Sequence, residues 1–184
     1  MKVRPWFGAL ALAVGLLGLT AGTGLEVVAS DADGLKQVAG LLHLHGTPFT
    51  GVVTTEADDF RTRKETAYRA GLRHGGSTGW YDSGSLAFLR DYVSGREHGE
   101  HREWYSDGQI KSKQSFRDGL LEGVAREWFP GGRLYREATY EAGVEEGTQR
   151  MWYKDGSLRA NYVVRDGRRF GLIGSKACVE ETST

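Results

Sequence analysis

Gly75-Gly76-Ser77-Thr78-Gly79 is the first stretch whose residue types could do chemistry. It matches G-x-S-x-G, the pattern in which a serine on a sharp strand-to-helix turn attacks an acyl carbon. That chemistry needs an α/β setting with an acid and a histidine later in the chain. The setting is missing here. At steps of 24 residues the place of Ser77 is taken by His101, Ala125 and Gln149, and a position that accepts all four is a strand side chain. A hydrolase using Ser77 is therefore the weakest function reading.

Metal and phosphate chemistry fare no better. His43 and His45 would share one face of a strand, an arrangement two ligands can use. A zinc site normally takes at least three protein ligands, and no third is spaced to join them. His74 and His98 occupy a position where Glu122 and Glu146 stand later, as solvated loop residues would. Gly171-Leu-Ile-Gly174-Ser-Lys176 lacks the G-x-x-x-x-G-K-[ST] spacing of a phosphate loop. No catalytic residue, metal site or cofactor is expected.

What remains is aromatic. Trp80-Tyr81, Trp104-Tyr105, Trp128-Phe129 and Trp152-Tyr153 recur every 24 residues without insertion or deletion. Gly84, Gly108, Gly132 and Gly156 follow in step, then Leu86, Ile110, Leu134 and Leu158. Gly95, Gly119, Gly143 and Gly167 keep the same interval, as do Gly75, Gly99, Gly123, Gly147 and Gly171. So many marks in one register define a repeat array.

Within a block, His101 to Tyr105 and Ile110 to Phe116 read as two strands joined by Ser106-Asp107-Gly108. Aspartate then glycine is hairpin chemistry, because glycine accepts the positive φ that closes the turn. A three-residue loop places Trp104 opposite Ile110 and Glu103 opposite Lys111. Simple alternation then puts Phe116 on the face of Ile110, giving each hairpin a stripe of Trp, Leu or Ile, and Tyr or Phe. One hairpin is marginal in water, so each must bury its stripe against its neighbours. The expected fold is all-β: an elongated single antiparallel sheet of tandem 24-residue β-hairpin repeats.

The domain plan follows from the register. Residues 51–174 form the array, with 51–74 a degenerate cap that carries Glu56 in place of Trp and Phe60 in place of the turn glycine. Residues 25–50 are lead-in strands, with Leu25–Val28 and Leu41–His45 extended, and 175–184 a polar tail holding Cys178, the chain's single cysteine. In residues 1–24, Lys2 and Arg4 precede an apolar run and then small residues, the layout of a secretory signal peptide. An uncleaved membrane anchor is the alternative and would give membrane contact through this segment. Either one places the remainder outside the cytoplasm, as a periplasmic, secreted or envelope-anchored protein.

The chain has 24 basic and 24 acidic residues in alternating order. That disfavours a nucleic-acid groove or a polybasic membrane patch, each of which needs one-signed clusters. The aromatic pairs then matter most. Alternation sends Tyr81, Tyr105, Phe129 and Tyr153 to the face opposite the four Trp residues, and an aligned aromatic row is a candidate partner-binding surface.

The spacing of aromatic pair, turn glycine, Leu or Ile, aromatic, Gly and closing Gly resembles the variant MORN repeat (membrane occupation and recognition nexus). With its glycine turns and export signal, the chain is also similar to the YwqK-type antitoxin family. The resemblance covers about residues 51–174. It implies β-hairpin repeats in a single-layer sheet used for protein contact, sometimes lipid contact, and no catalytic residues. The function expected is an exported, non-enzymatic protein-binding or scaffold module of the cell envelope. The alternative is an antitoxin-like module that neutralises a partner protein by covering it.

Overall fold

The computed structural model describes residues 25–57 and 62–172. The N-terminal segment, Phe60, Gly174, Cys178 and the tail lie outside the described residues. Among the described residues every regular element is a strand. The first four are short: β1 (Val27–Ala29), β2 (Leu35–Val38), β3 (Leu41–Leu44) and β4 (Thr47–Pro48). Then come β5 (Gly51–Ala57), β6 (Thr62–Arg69), β7 (Leu72–Tyr81), β8 (Leu86–Val93), β9 (Arg96–Trp104) and β10 (Ile110–Arg117). The rest are β11 (Leu120–Leu121), β12 (Gly123–Trp128), β13 (Leu134–Glu141), β14 (Val144–Trp152), β15 (Leu158–Arg165) and β16 (Arg168–Leu172).

From β5 onward, strands pair with their sequence neighbours in one antiparallel ladder, apart from the two-residue β11, which pairs β10 beside β12. The sheet has 13 strands. The lead-in departs from that pattern. β1 adds to β5 in parallel, and β2-β3-β4 form a separate three-stranded sheet. The small sheet is bonded to the array: the Leu42 amide donates to Gly71 O (2.9 Å) and the Gly71 amide to Phe49 O (2.8 Å). Phe49 is buried there, 6.3 Å from the Tyr68 ring. Residues 31–49 thus cover the first turn of the array. β3 ends at Leu44, and His45 enters a turn with φ 49°. His43 and His45 therefore do not continue one strand, contrary to the sequence expectation.

Two turns of different construction alternate. After each Trp-aromatic pair the chain makes the expected three-residue loop. The Gly108 amide donates to Tyr105 O (2.9 Å), and the Tyr105 amide to Gln109 O (2.8 Å). The same two bonds recur at Tyr81–Ser85, Phe129–Arg133 and Tyr153–Ser157. After the second strand of each hairpin the turn has two residues, both at positive φ: Ala70-Gly71, Ser94-Gly95, Asp118-Gly119, Ala142-Gly143 and Asp166-Gly167. This is the mirror-image turn whose twist matches that of the flanking strands. These turns are tied to one another. The amides of Gly95, Gly119 and Gly143 donate to Arg73 O, Glu97 O and Leu121 O at 2.8–2.9 Å.

The third glycine mark sits where the ladder is interrupted. Asp91 pairs with His98 and Leu89 with Arg102, so two extra residues of β9 are taken up beside Gly99, whose φ is +72°. The same shift occurs at the equivalent junctions β6–β7 and β13–β14. A Cβ on Gly99 would meet nothing closer than Asp91 Cβ at 4.0 Å, so the glycine is required there by backbone conformation and not by space. Gly99→Val should lower stability by about 1–3 kcal/mol, the cost of a strained backbone position. Gly99→Asn should cost clearly less, because asparagine tolerates the left-handed region. Denaturant midpoints of the two variants check this; equal midpoints would place the glycine's role elsewhere.

Candidate functional site

Trp104 pairs with Ile110 as expected, but Glu103 pairs with Ser112. Lys111 is an extra residue in a β-bulge, though its ammonium still reaches Glu103 at 3.4 Å. The same shift of one recurs at Ala87, Tyr135 and Arg159. A bulge of one residue reverses the parity of everything after it. Phe116 therefore lies on the face of His101, with ring centroids 4.5 Å apart, and not on the face of Trp104 and Ile110. The expected stripe of Trp, Ile and Phe on one face is split between two.

The bulge also changes which face holds the core. Ser77, Tyr92, His101, Ala125, Ala138, Gln149, Ala160, Tyr162 and Val164 are buried, and the pairing puts all of them on the face opposite the Trp row. Trp80, Trp104, Trp128 and Trp152 are half-buried on the other side, with the Arg63 guanidinium 4.7 Å from the Trp80 ring. The inner position assigned to the Trp row from sequence is thus corrected. The most deeply packed face is the one carrying Tyr81, Tyr105, Phe129 and Tyr153.

Those four rings are placed as a row, each at the foot of a three-residue loop. Tyr81, Tyr105 and Phe129 are half-buried, and Tyr153 is 42% exposed. Two of them have a duty the sequence did not reveal. Tyr81 Oη donates to Trp104 O, and Tyr105 Oη to Trp128 O, each at 2.7 Å. The hydroxyl of one block thus fastens the backbone of the next. Phe129 has no hydroxyl and instead packs on Tyr135, centroids 4.9 Å apart.

Ser77 is in the middle of β7, buried, with its Oγ 2.8 Å from Thr66 Oγ1. A paired strand residue with no turn or helix after it cannot present a nucleophile, so the G-x-S-x-G match carries no chemistry. Its repeat equivalents reveal the role of the position. His101 Nε2 lies 3.2 Å from the amide N and 3.0 Å from the carbonyl O of Asp91, and takes up one of them according to its tautomer. Gln149 Nε2 donates to Thr139 O at 2.8 Å. These side chains reach backbone groups beside the interruption of the ladder, Gln149 at Thr139, which has no β14 partner in the register, and His101 at Asp91. Among the described residues no group of three His, Cys, Asp or Glu could hold a metal ion.

Charges pair within each face. On the Trp side, Arg102 and Lys113 share Glu100, while Arg126 and Arg150 share Glu137. On the Tyr side, Arg90 and Lys111 share Glu103. Arg136 joins Glu127 (3.5 Å), Tyr140 Oη (2.8 Å) and Glu145 (2.8 Å), and Arg169 joins Glu145 (3.2 Å). Burial by itself pushes the Glu103 carboxyl up, but the hydrogen bond and charge of Arg90, with Lys111 beside them, hold it below the usual carboxylate range. The Lys113 ammonium, with Arg102, does the same for Glu100.

Between the blocks Gly99–Glu122 and Gly123–Glu146 the Tyr side opens into a cleft. Tyr105, Phe129 and Tyr135 supply its aromatic wall, with Gln114, Lys111 and Glu127 among its polar lining. Its lining is suited to contact: rigid rings with polar groups between them, among them Ser112, which stands in register opposite Glu103 and Glu127.

Two adjacent stretches, residues 97–118 and 121–142, match the family model of the variant MORN repeat. They span β9–β10 and most of β11–β13. MORN repeats are generally protein- or membrane-binding modules of a non-catalytic repeat type. No curated protein matches the chain.

Two outcomes follow. Tyr105→Phe should lower stability by about 0.5–1.5 kcal/mol, the net worth of one hydrogen bond, and Phe129→Tyr should raise it by supplying a hydroxyl at the equivalent place. Thermal or denaturant melts decide; an unchanged Tyr105→Phe midpoint would remove the hydroxyl clamp from the account. For Glu103, a folded value held below the unfolded one contributes stability that is present above the unfolded value and is lost as pH falls through the folded value. Glu103→Gln should therefore flatten the acid limb of the stability curve. The change at neutral pH should stay under about 1 kcal/mol, since the pairs are partly exposed. An acid limb identical to the parent's would contradict the assignment.

Proposed function

We propose that this array, with variant MORN repeats at its centre, is an exported, non-enzymatic module of the cell envelope that binds a protein partner. The observation that carries the reading is the aromatic cleft of Tyr105, Phe129 and Tyr135 on a sheet of repeated blocks. Rings held by backbone contacts offer apolar area at low entropic cost, and such anchors dominate many interfaces. Tyr81 and Tyr153 extend the same row to either side. An open cleft suits a ridge of side chains on another protein better than an enclosed small molecule. Export is supported by Lys2 and Arg4 ahead of the apolar run. The antitoxin-like alternative needs a cytoplasmic partner, which that segment disfavours.

The test is capture of partners from envelope extract by the mature chain, with Phe129→Ser and Tyr135→Ser compared at parental circular dichroism. Both variants should lose retained protein at least several-fold. The envelope-fraction chain should have an intact mass lacking roughly the first 22–30 residues, the span that ends at the small-residue sites. Recovery of the full-length chain from the cytoplasm, or undiminished capture by both variants, would overturn the proposal.

A further inference from the structure

On the Tyr side a rung of register partners crosses the sheet as Phe88–Glu103–Ser112–Glu127–Arg136, on β8, β9, β10, β12 and β13. Phe88, Ser112, Arg136 and Ala160 are one repeat position at steps of 24 residues. Three of the four are filled from within the sheet. Phe88 puts its ring against Gly79, where an added Cβ would come within 2.2 Å of it. Arg136 extends to Glu127, Tyr140 and Glu145. Ala160 is small, but Met151 packs against it. Ser112 is short and stands between two carboxylates, and it lies in the lining of the cleft that Tyr105, Phe129 and Tyr135 wall.

The blocks on either side show what this surface accommodates. Arg90 lies 4.6 Å from the Phe88 ring centroid and bonds Glu103. Arg136 lies 5.9 Å from the Tyr140 ring centroid and bonds Glu127 and Glu145. In both places a guanidinium combines an aromatic ring with a carboxylate. The cleft over Ser112 has rings and carboxylates, yet among the described residues none of its lining is an arginine. Glu103 is already shared by Arg90 and Lys111. Glu127 is the carboxylate with capacity to spare: Arg136 makes its shorter bonds, 2.8 Å each, to Tyr140 and Glu145, and reaches Glu127 at 3.5 Å. With the Lys111 ammonium held by Glu103, the cleft presents a partly exposed anion beside two rings. Such a site attracts a cation that can stack and donate at once.

We propose that the cleft receives an arginine side chain of the partner protein, its guanidinium stacked on Phe129 and Tyr135 and bonded to Glu127 above Ser112. Lysine fits less well, because a compact ammonium lacks the planar fork that stacks on a ring while it bonds a carboxylate. The inference rests on the reading of this cleft as the partner-binding site and names the chemistry the cleft selects.

The probe is N-acetyl-arginine methylamide, titrated into the isotope-labelled chain and followed by heteronuclear NMR. Saturable shifts are expected at Ser112, Phe129 and Tyr135. The citrulline analogue, alike in shape but uncharged, should bind about tenfold more weakly, the worth of one charge-assisted hydrogen bond. Glu127→Gln should weaken the arginine probe by a similar factor at parental circular dichroism. Ser112→Arg, which supplies the guanidinium from the chain itself as Arg136 does one block on, should abolish the shifts and leave the fold intact. Equal binding of arginine and citrulline, stronger binding of the glutamate analogue, or binding undiminished by Glu127→Gln would overturn the proposal. So would self-association in sedimentation that Ser112→Arg abolishes, which would make a second copy the occupant. If the arginine probe fails while Phe129→Ser still loses envelope partners, the arginine is refuted and the cleft stands. If Phe129→Ser and Tyr135→Ser both capture partners undiminished, the cleft itself is refuted, and this proposal with it.

Discussion

Everything in this sheet depends on each hairpin passing its open edge to the next. A lone two-stranded hairpin buries too little to persist in water. The ladder solves that by using each interior strand twice, once within its hairpin and once across the junction. The junction is the harder pairing, because the two turn types and the bulges must all return to the same register after 24 residues. It is held at both ends. On one side the turn amides of Gly95, Gly119 and Gly143 reach the preceding strands. On the other, the hydroxyls of Tyr81 and Tyr105 reach the carbonyls of Trp104 and Trp128. Between them the ladder is broken at Gly99 and its equivalents, and side chains such as His101 and Gln149 reach backbone groups beside the break. The most buried polar side chains of the array are therefore consequences of the repeat geometry.

The two faces divide the remaining work. The Tyr side gathers the buried residues and a chain of shared ions running Glu127–Arg136–Glu145–Arg169 from β12 to β16. The Trp side carries half-buried rings, aliphatic partners and arginines that share Glu100 and Glu137. Because the charges are distributed in pairs, neither side becomes one-signed. Such a sheet has surface in quantity and shallow clefts. That is why contact with another macromolecule is the function its physics favours.

The sequence by itself determined the period, the all-β class, the three-residue loops and the pairing of Trp104 with Ile110, because these depend on local turn chemistry and on marks that recur in step. Glycine after aspartate, and glycine at each junction, dictate where the chain reverses whatever lies beside it. What only the tertiary structure decided is which side of the sheet is inside. A single extra residue at Lys111 or Tyr135 reverses the faces, and no local signal distinguishes a bulge there from a regular strand. From that reversal follow the burial of His101 and Gln149, the pairing of Phe116 with His101, and the half-exposed Trp row. The hydroxyl bonds of Tyr81 and Tyr105 were equally hidden, since their acceptors are backbone carbonyls 23 residues away. Carbonyls are the same in every residue, so only the approach of one block to the next could show which of them a tyrosine would find.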